Sequence, residues 1–168
     1  MSDKIYNVLF LCTGNSARSV MSEALATILG KGRFQGYSAG SHPTGRINPY
    51  AIEQINRFAP GYPVEGMRSK SWDEFATPEA PRMDFIVTVC DNAAGETCPY
   101  WPGRPATAHW SYQDPAAVEG SVTDKRAAFA RIFDQIKKRM EAFVALPIET
   151  MDADTIRLEA EKIGKIAV

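Results

Sequence analysis

Short apolar runs alternate along the chain with longer segments of helical periodicity. The runs at residues 5–11, 34–39, 83–89 and 106–112 have the length and composition of buried strands. Apolar residues recur at three-to-four spacing over residues 19–29, 48–58, 124–143 and 156–163, as on amphipathic helices. This alternation predicts an α/β fold with a doubly wound parallel sheet.

Turn and capping residues set the expected boundaries of these helices. Gly30 and Gly32 are expected to end the first helix, and Asn48 followed by Pro49 has the chemistry of a helix start. A single helical turn is predicted at residues 71–75. The long helix at residues 124–143 carries its apolar stripe at Ala128, Phe129, Ile132, Phe133, Ile136, Met140 and Phe143.

Pro147 separates the long helix from a final helical pattern at Ile156, Leu158 and Ile163. We therefore expect a catalytic domain at residues 1–146 and, at residues 147–168, a helical extension of the same domain. No internal repeat or linker divides the chain further.

Three candidate chemical groups follow predicted strands. Cys12 ends the first strand, Cys90 ends the third, and Asp114 lies in the loop after the fourth. The carboxyl ends of parallel strands meet at one edge of a sheet, and ligands bind in the crevice there. We therefore expect these three residues to lie at one site.

Composition excludes several classes of function. The 168 residues include 19 basic and 20 acidic ones, for a formal charge of -1, so no global basic field attracts nucleic acid or a membrane surface. No apolar run is long enough to span a bilayer, and the first residues do not resemble a signal peptide. The prediction is a cytoplasmic protein with no nucleic-acid or membrane partner.

Cysteine usage argues against a permanent disulfide framework and leaves reactive or redox-active thiols open. The three cysteines, Cys12, Cys90 and Cys98, are an odd number in a chain too long for a disulfide-stapled miniprotein.

Cys12 and Arg18 are separated by five residues in a loop between a strand and a helix. Such a loop points backbone amides at a common centre where the helix dipole also favours negative charge. These fields are expected to lower the pKa of Cys12, and the Arg18 fork can hold two oxygens of a tetrahedral anion. Gly14 permits close approach, while Asn15 and Ser19 fix the loop. The alternative is a buried cysteine beside a surface arginine.

The sequence from Val8 to Ser19, together with residues 38–40 and Asp114-Pro115, resembles the low-molecular-weight protein tyrosine phosphatase superfamily over nearly the first 120 residues. The resemblance implies a four-stranded sheet of flavodoxin-like order 2-1-3-4. It also implies Cys12 as nucleophile, Arg18 as oxyanion ligand and Asp114 as general acid. The oxyanion would be bound by Thr13, Gly14, Asn15, Ser16, Ala17, Arg18 and Ser19.

Physical chemistry also supports Asp114 as a general acid. Displacing an oxygen from a tetrahedral centre requires a proton, and a carboxyl group shielded in a loop can retain one. The alternative is that Asp114 and Pro115 only start a turn, as this dipeptide commonly does.

The thiol pair Cys90 and Cys98 exceeds what a phosphatase requires. With His109-Trp110 and the following residues 111–116, this segment resembles the arsenate reductases built on the phosphatase fold. The resemblance implies that Cys12 attacks arsenate, that Cys90 attacks Cys12 and releases arsenite, and that Cys98 forms a disulfide with Cys90. A thioredoxin or glutaredoxin-type reductant would restore the dithiol.

Other interpretations stay open at this point. Cys90 and Cys98 can be purely structural, or can bind zinc with His109, although no fourth ligand is evident. A phosphatase acting on phosphotyrosine is the main rival, but Ala116 and Ala117 stand where phosphatases typically carry an aromatic residue. A third possibility is an oxyanion-binding domain without turnover.

No tightly bound cofactor or metal is predicted. Asn15, Glu23 and Ser38 resemble positions that support a monovalent cation in some arsenate reductases, so a bound cation is a further expectation. Trp101, Trp110 and Tyr112 can line the mouth of the site or pack in the core. The sequence does not identify the thiol donor or the oligomeric state.

Overall fold

Four parallel strands form the central sheet of this computed structural model, which describes residues 4–90 and 105–168. The strands are β1 (Tyr6–Leu11), β2 (Phe34–Ala39), β3 (Phe85–Thr88) and β4 (Ala106–His109), in the order β2-β1-β3-β4. The predicted parallel sheet and its order are confirmed.

Two strands are shorter than the apolar pattern predicts. Residues 83–89 and 106–112 were expected as strands, but β3 and β4 each contain four residues. β4 pairs only with β3, so its length is limited by the register from Phe85↔Ala106 to Thr88↔His109. Trp110 and Tyr112 continue the apolar pattern because they are buried in the core beyond the sheet.

The main helices are α1 (Arg18–Gly30), α2 (Pro49–Phe58), α3 (Val122–Val144) and α4 (Ala153–Ile163). Short 3₁₀ turns occupy Val64–Gly66, Trp72–Phe75, Pro115–Ala117 and Ile148–Thr150. Asn48 caps its helix as predicted and accepts a hydrogen bond from the Tyr50 amide. The structure adds a capping box formed by Ser121 and Asp124 at the start of α3.

Apolar side chains of β1 alternate between the two faces of the sheet. Val8 and Phe10 join the larger core with α1, α3 and α4, while Leu9 and Leu11 pack with Trp72 and Phe75 on the other face. All seven predicted apolar positions of α3 are buried. Burial on both faces explains why the part of β1 from Val8 to Leu11 is a continuous apolar run.

The final helix forms, but one of its predicted apolar positions is wrong. Ile163 is buried and Ile156 packs against the core, whereas Leu158 is 51% exposed. Ala160 is buried instead, on the face of α4 that contacts Trp110. Among the described residues, no helix has both the length and the apolar content needed to cross a membrane.

Helix α1 approaches strand β2 closely at Gly36. A Cβ atom built there would lie 2.3 Å from the Glu23 carbonyl oxygen, which belongs to the helix backbone and has little freedom to move. The position of α1, and of the loop at its start, therefore depends on the lack of a side chain at Gly36.

We expect Gly36→Ala to lower the free energy of unfolding by about 1–3 kcal/mol, the usual cost of overpacking. Urea denaturation followed by circular dichroism measures this change. Gly66→Ala is the matched control, because a Cβ atom there meets open space, and it should alter the free energy of unfolding by less than about 0.5 kcal/mol. Equal effects of the two substitutions would contradict the proposed close contact.

Candidate active site

The strand register brings the candidate residues to one edge of the sheet. Leu11 pairs with Thr88 and with Ala39, and Thr88 pairs with His109, so β1, β2, β3 and β4 end at the same level. Cys12 directly follows β1, and Cys90 lies two residues after the end of β3. The segment after β4 leads to Asp114. The predicted gathering of these three positions is therefore seen in the structure.

The loop from Cys12 to Arg18 is fixed by hydrogen bonds that its carbonyl groups accept from surrounding segments. The amides of His42, Thr44 and Asn48 donate to the carbonyl oxygens of Thr13, Gly14 and Ser16 at 2.9–3.0 Å. These bonds turn the carbonyls toward the neighbouring chain. Because these carbonyl groups point away from the centre of the loop, the loop amides can point toward an anion there.

Asn15 anchors the loop from beneath. It is fully buried and has φ of 47°, a left-handed conformation that asparagine tolerates better than most residues. Its side-chain nitrogen donates to Ser19 Oγ at 2.9 Å, and its Oδ1 accepts from the Lys70 amide at 2.8 Å. Asn15 and Ser19 thus fix the loop, as predicted, and they do so from inside the protein.

A cavity of about 230 Å³ opens above this loop. Its lining residues are Cys12, Thr13, Gly14, Ser16, Ala17, Arg18, Thr44, Asp114 and Ala116. Arg18 is the first residue of α1, so the positive end of the helix dipole points into the cavity. The cavity combines a thiol, loop amides and a guanidinium, which is the donor set of an oxyanion site.

Arg18 and Asp114 meet at the mouth of the cavity. Arg18 Nη1 donates to the Tyr112 carbonyl at 3.0 Å, and its Nη2 lies 3.8 Å from Asp114 Oδ2. The Asp114 side chain is 45% exposed, so it is not shielded in the way the sequence argument assumed. Its other oxygen accepts from the Ala116 amide at 2.9 Å, which fixes the carboxyl group at the start of a turn.

The sulfurs of Cys12 and Cys90 are neighbours. The two side chains lie near enough to interact, and both residues are buried, with exposed fractions of 5% and 2%. The amide of Thr13 donates to Cys90 Sγ at 3.4 Å, and the Thr13 hydroxyl lies 3.7 Å from the same sulfur. One residue of the loop therefore holds the second thiol against the first.

The expected lowering of the Cys12 pKa is wrong. The hydrogen bond to Cys90, burial, and repulsion from Cys90 raise the pKa of Cys12 above its ordinary value. The charge of Arg18 and the Gly14 amide lower the pKa of Cys12 as predicted, but the neighbouring Cys90 sulfur and burial together raise it by more.

Glu23 and Ser38 form a polar network beneath the loop. Ser38 Oγ donates to Glu23 Oε1 at 2.6 Å; burial raises the pKa of Glu23, while Ser38 and the Lys70 ammonium group oppose that rise. The Asn15 oxygen is already used by the Lys70 amide. Lys70 supplies positive charge in the region where a cation was expected, and the bound cation stays a prediction.

Several candidate residues have other outcomes. Cys98 and Trp101 lie outside the described residues. Trp110 and Tyr112 are buried in the core and do not line the cavity. No group of three or more metal-ligating side chains occurs within residues 4–90 and 105–168, so this part of the chain offers no zinc site around His109.

Sequence reasoning missed Thr44, Lys70 and Arg139. Thr44 lines the cavity and Lys70 pairs with buried groups, but both lie in segments without a recognisable pattern. Arg139 did carry a signal, because it interrupts the apolar stripe of α3 between Ile136 and Phe143.

Comparison with known proteins agrees with this geometry. The family model for low molecular weight phosphotyrosine protein phosphatase matches residues 7–157. The chain belongs to this family. The match includes the loop, both described cysteines, Asp114 and the start of α4; residues 158–168 lie beyond it.

Curated relatives of this family member are arsenate reductases. The enzyme of Halalkalibacterium halodurans is 35% identical over 136 residues, which cover 81% of this chain and 93% of the relative. That of Bacillus subtilis is 35% identical over 143 residues, covering 85% and 96%. The crystal structure of an arsenate reductase from Archaeoglobus fulgidus matches with a TM-score of 0.61 and 25% identity, over 83% of this chain and 99% of that one. The resemblance predicted from the sequence is confirmed.

We expect Cys90→Ala and Cys90→Ser to lower the pKa of Cys12, because each removes the neighbouring thiol that raises it. The measurement is the pH dependence of Cys12 alkylation by iodoacetamide, followed by mass spectrometry of the peptide that contains Cys12. The midpoint should fall in both variants, whereas an unchanged midpoint would show that burial alone sets the pKa.

Proposed function

We propose that this protein reduces arsenate to arsenite through a relay of cysteine thiols. The observation that carries the proposal is the close approach of Cys90 to Cys12, the cysteine that lines the oxyanion cavity. Hydrolysis of a phosphate ester requires one nucleophile, whereas reduction requires a second sulfur beside the first. Arsenate reductases at 35% identity over most of the chain support the same reaction.

Binding comes first in the proposed reaction. The loop amides of residues 14–19 and the Arg18 guanidinium receive the oxygens of arsenate, which has the shape and charge of phosphate. The Thr13 amide is not among them, because it donates to Cys90 Sγ. Ionised Cys12 attacks arsenic and an oxygen departs with a proton supplied by Asp114. The product is a covalent adduct with a bond between the Cys12 sulfur and pentavalent arsenic.

Reduction follows at the second sulfur. The Cys90 thiolate attacks Cys12 Sγ, the sulfur–arsenic bond breaks, and its electron pair stays on arsenic, which leaves as trivalent arsenite. Cys12 and Cys90 are then joined by a disulfide. Cys98 attacks Cys90 Sγ and expels Cys12 as a thiolate, so the two-electron oxidation moves to a Cys90–Cys98 pair. A dithiol of the thioredoxin or glutaredoxin type removes it.

Phosphotyrosine is the less favoured substrate. Among the described residues that line the cavity, none is aromatic, and Thr44 and Ala116 lie at its rim. A phosphotyrosine ring would gain little stacking from these side chains. The same loop can still cleave small aryl phosphates, which makes them useful probes of Cys12 and Asp114.

We expect the three cysteine variants to separate the steps of the relay. Cys12→Ser should abolish both arsenate reduction and aryl phosphate hydrolysis, because it removes the nucleophile. Cys90→Ala should release no arsenite, and Cys98→Ala should release a single equivalent per enzyme and stop as the Cys12–Cys90 disulfide. Arsenite release and thioredoxin oxidation are measured together, with aryl phosphate hydrolysis as the control that Cys90→Ala and Cys98→Ala retain. Wild-type turnover in either of these two variants would refute the relay.

We expect Asp114→Asn to lower kcat for phenyl phosphate by about 10²–10⁴-fold, the usual contribution of a general acid. The loss should be much smaller for dinitrophenyl phosphate, whose leaving group departs without a proton. Gln113→Ala, a change at the exposed neighbour, serves as the control and should leave both rates unchanged. Equal losses with the two substrates would remove Asp114 from the role of acid.

A further inference from the structure

The segment from Trp110 to Asp114 connects the end of β4 to the candidate acid. It is held from the active-site side, because the Tyr112 carbonyl accepts a hydrogen bond from Arg18 Nη1 at 3.0 Å. It is also held from the opposite side by residues of α3 and of the C-terminal segment. The position of Asp114 therefore depends on contacts remote from the cavity.

Arg139 of α3 connects the segment before Asp114 to the C-terminal residues. Its Nη1 donates to the Ser111 carbonyl at 3.0 Å, and its Nη2 and Nε donate to the Ile166 carbonyl at 2.9 and 3.3 Å. Arg139 is only 7% exposed. A buried guanidinium is costly unless its donors are used, so these carbonyls fix its position and it fixes theirs.

Tyr112 lies between Arg139 and Arg18. The Arg139 guanidinium carbon is 5.0 Å from the centre of the Tyr112 ring, within the range of a cation–π contact. The carbonyl of the same residue binds Arg18, and Arg18 in turn lies 3.8 Å from Asp114. A short chain of contacts thus leads from the C-terminal segment to the cavity.

The C-terminal segment is docked closely enough to act through this chain. The Trp110 indole donates to the Ala160 carbonyl at 2.8 Å. Gly164 lies so close to β4 that a Cβ atom there would be 2.3 Å from the His109 carbonyl oxygen. Ala160, Gly164 and Ile166 all follow residue 157, where the family match ends.

We propose that Arg139 is a positioning residue, which couples the C-terminal segment (residues 158–168) to the Ser111–Asp114 segment and so aligns Asp114 with the bound oxyanion. The proposal rests on the proposed function in one respect, since it takes Asp114 as the group that protonates the departing oxygen. Arg139 itself does not touch the cavity and acts only through the backbone of residues 111–114.

Arg139→Met tests this coupling without leaving a buried charge. We expect kcat for phenyl phosphate to fall by about 10–100-fold, the scale of a small misplacement of a catalytic group. The rate with dinitrophenyl phosphate and the affinity for inorganic phosphate should fall much less than kcat for phenyl phosphate, because the loop amides and Cys12 are untouched and of the oxyanion ligands only Arg18 contacts the displaced segment, at the Tyr112 carbonyl. Arg139→Lys, which keeps the charge but cannot bridge both carbonyls, should give the same pattern to a smaller degree.

Arg131→Met is the matched control, because Arg131 is an exposed residue of the same helix. It should behave as wild type in every assay. All variants are compared at a temperature where circular dichroism shows them folded. Equal losses with both aryl phosphates, or no loss in Arg139→Met, would overturn the proposal.

Hydrogen exchange gives a second readout that does not depend on turnover. Coupling between two sites is reciprocal, so phosphate binding should slow amide exchange at residues 160–166 of the wild type as well as at residues 111–117. In Arg139→Met, the protection at residues 160–166 should disappear while that at 111–117 persists. Protection that survives in both regions would overturn the coupling, whereas absence of arsenate reduction in the wild type would refute only the proposed function.

Discussion

The contact between Cys12 and Cys90 is the constraint around which the site is arranged. The two sulfurs are brought together by the pairing of β1 with β3, since Leu11 and Thr88 are in register and each cysteine follows its strand. Thr13 then holds Cys90 through its amide and hydroxyl groups. A slip of one residue in this register would send the side chains of β3 to the opposite face and separate the thiols.

The same sheet edge supplies everything else that an oxyanion meets. The loop of residues 12–18 is tied outward by the amides of residues 42, 44 and 48 and anchored inward by Asn15, so its amides are set before any ligand arrives. Preorganised donors need no rearrangement during reaction, which is the main advantage of such a loop over flexible side chains. The network of Glu23, Ser38 and Lys70 supports this loop from below.

The parts of this design that the sequence predicted are those governed by local patterns. The stripe of α3, the cap at Asn48 and the loop between Cys12 and Arg18 follow from spacing within a single segment. The errors arose where distant segments meet. The Cys12 pKa was misjudged because Cys90 is remote in sequence, Asp114 proved exposed, and Leu158 was assigned to a surface that Ala160 covers. Arg139 interrupts an apolar stripe, but its role could not be predicted from spacing within α3, because its partners lie 27 and 28 residues away.

The raised pKa of Cys12 fits the order of events in the proposed relay. Two adjacent thiolates repel each other, so the pair favours one negative charge at a time, and Arg18 with the Gly14 amide favours that charge on Cys12 when an anion must be attacked. Once Cys12 is bonded to arsenic in the proposed relay, its sulfur no longer carries a thiolate charge of its own. The Thr13 amide already points at the Cys90 sulfur and stabilises the new thiolate there. In the proposed relay, only one of the two sulfurs would act as a nucleophile at a time, so Cys90 would not compete with Cys12 for arsenate in the first step.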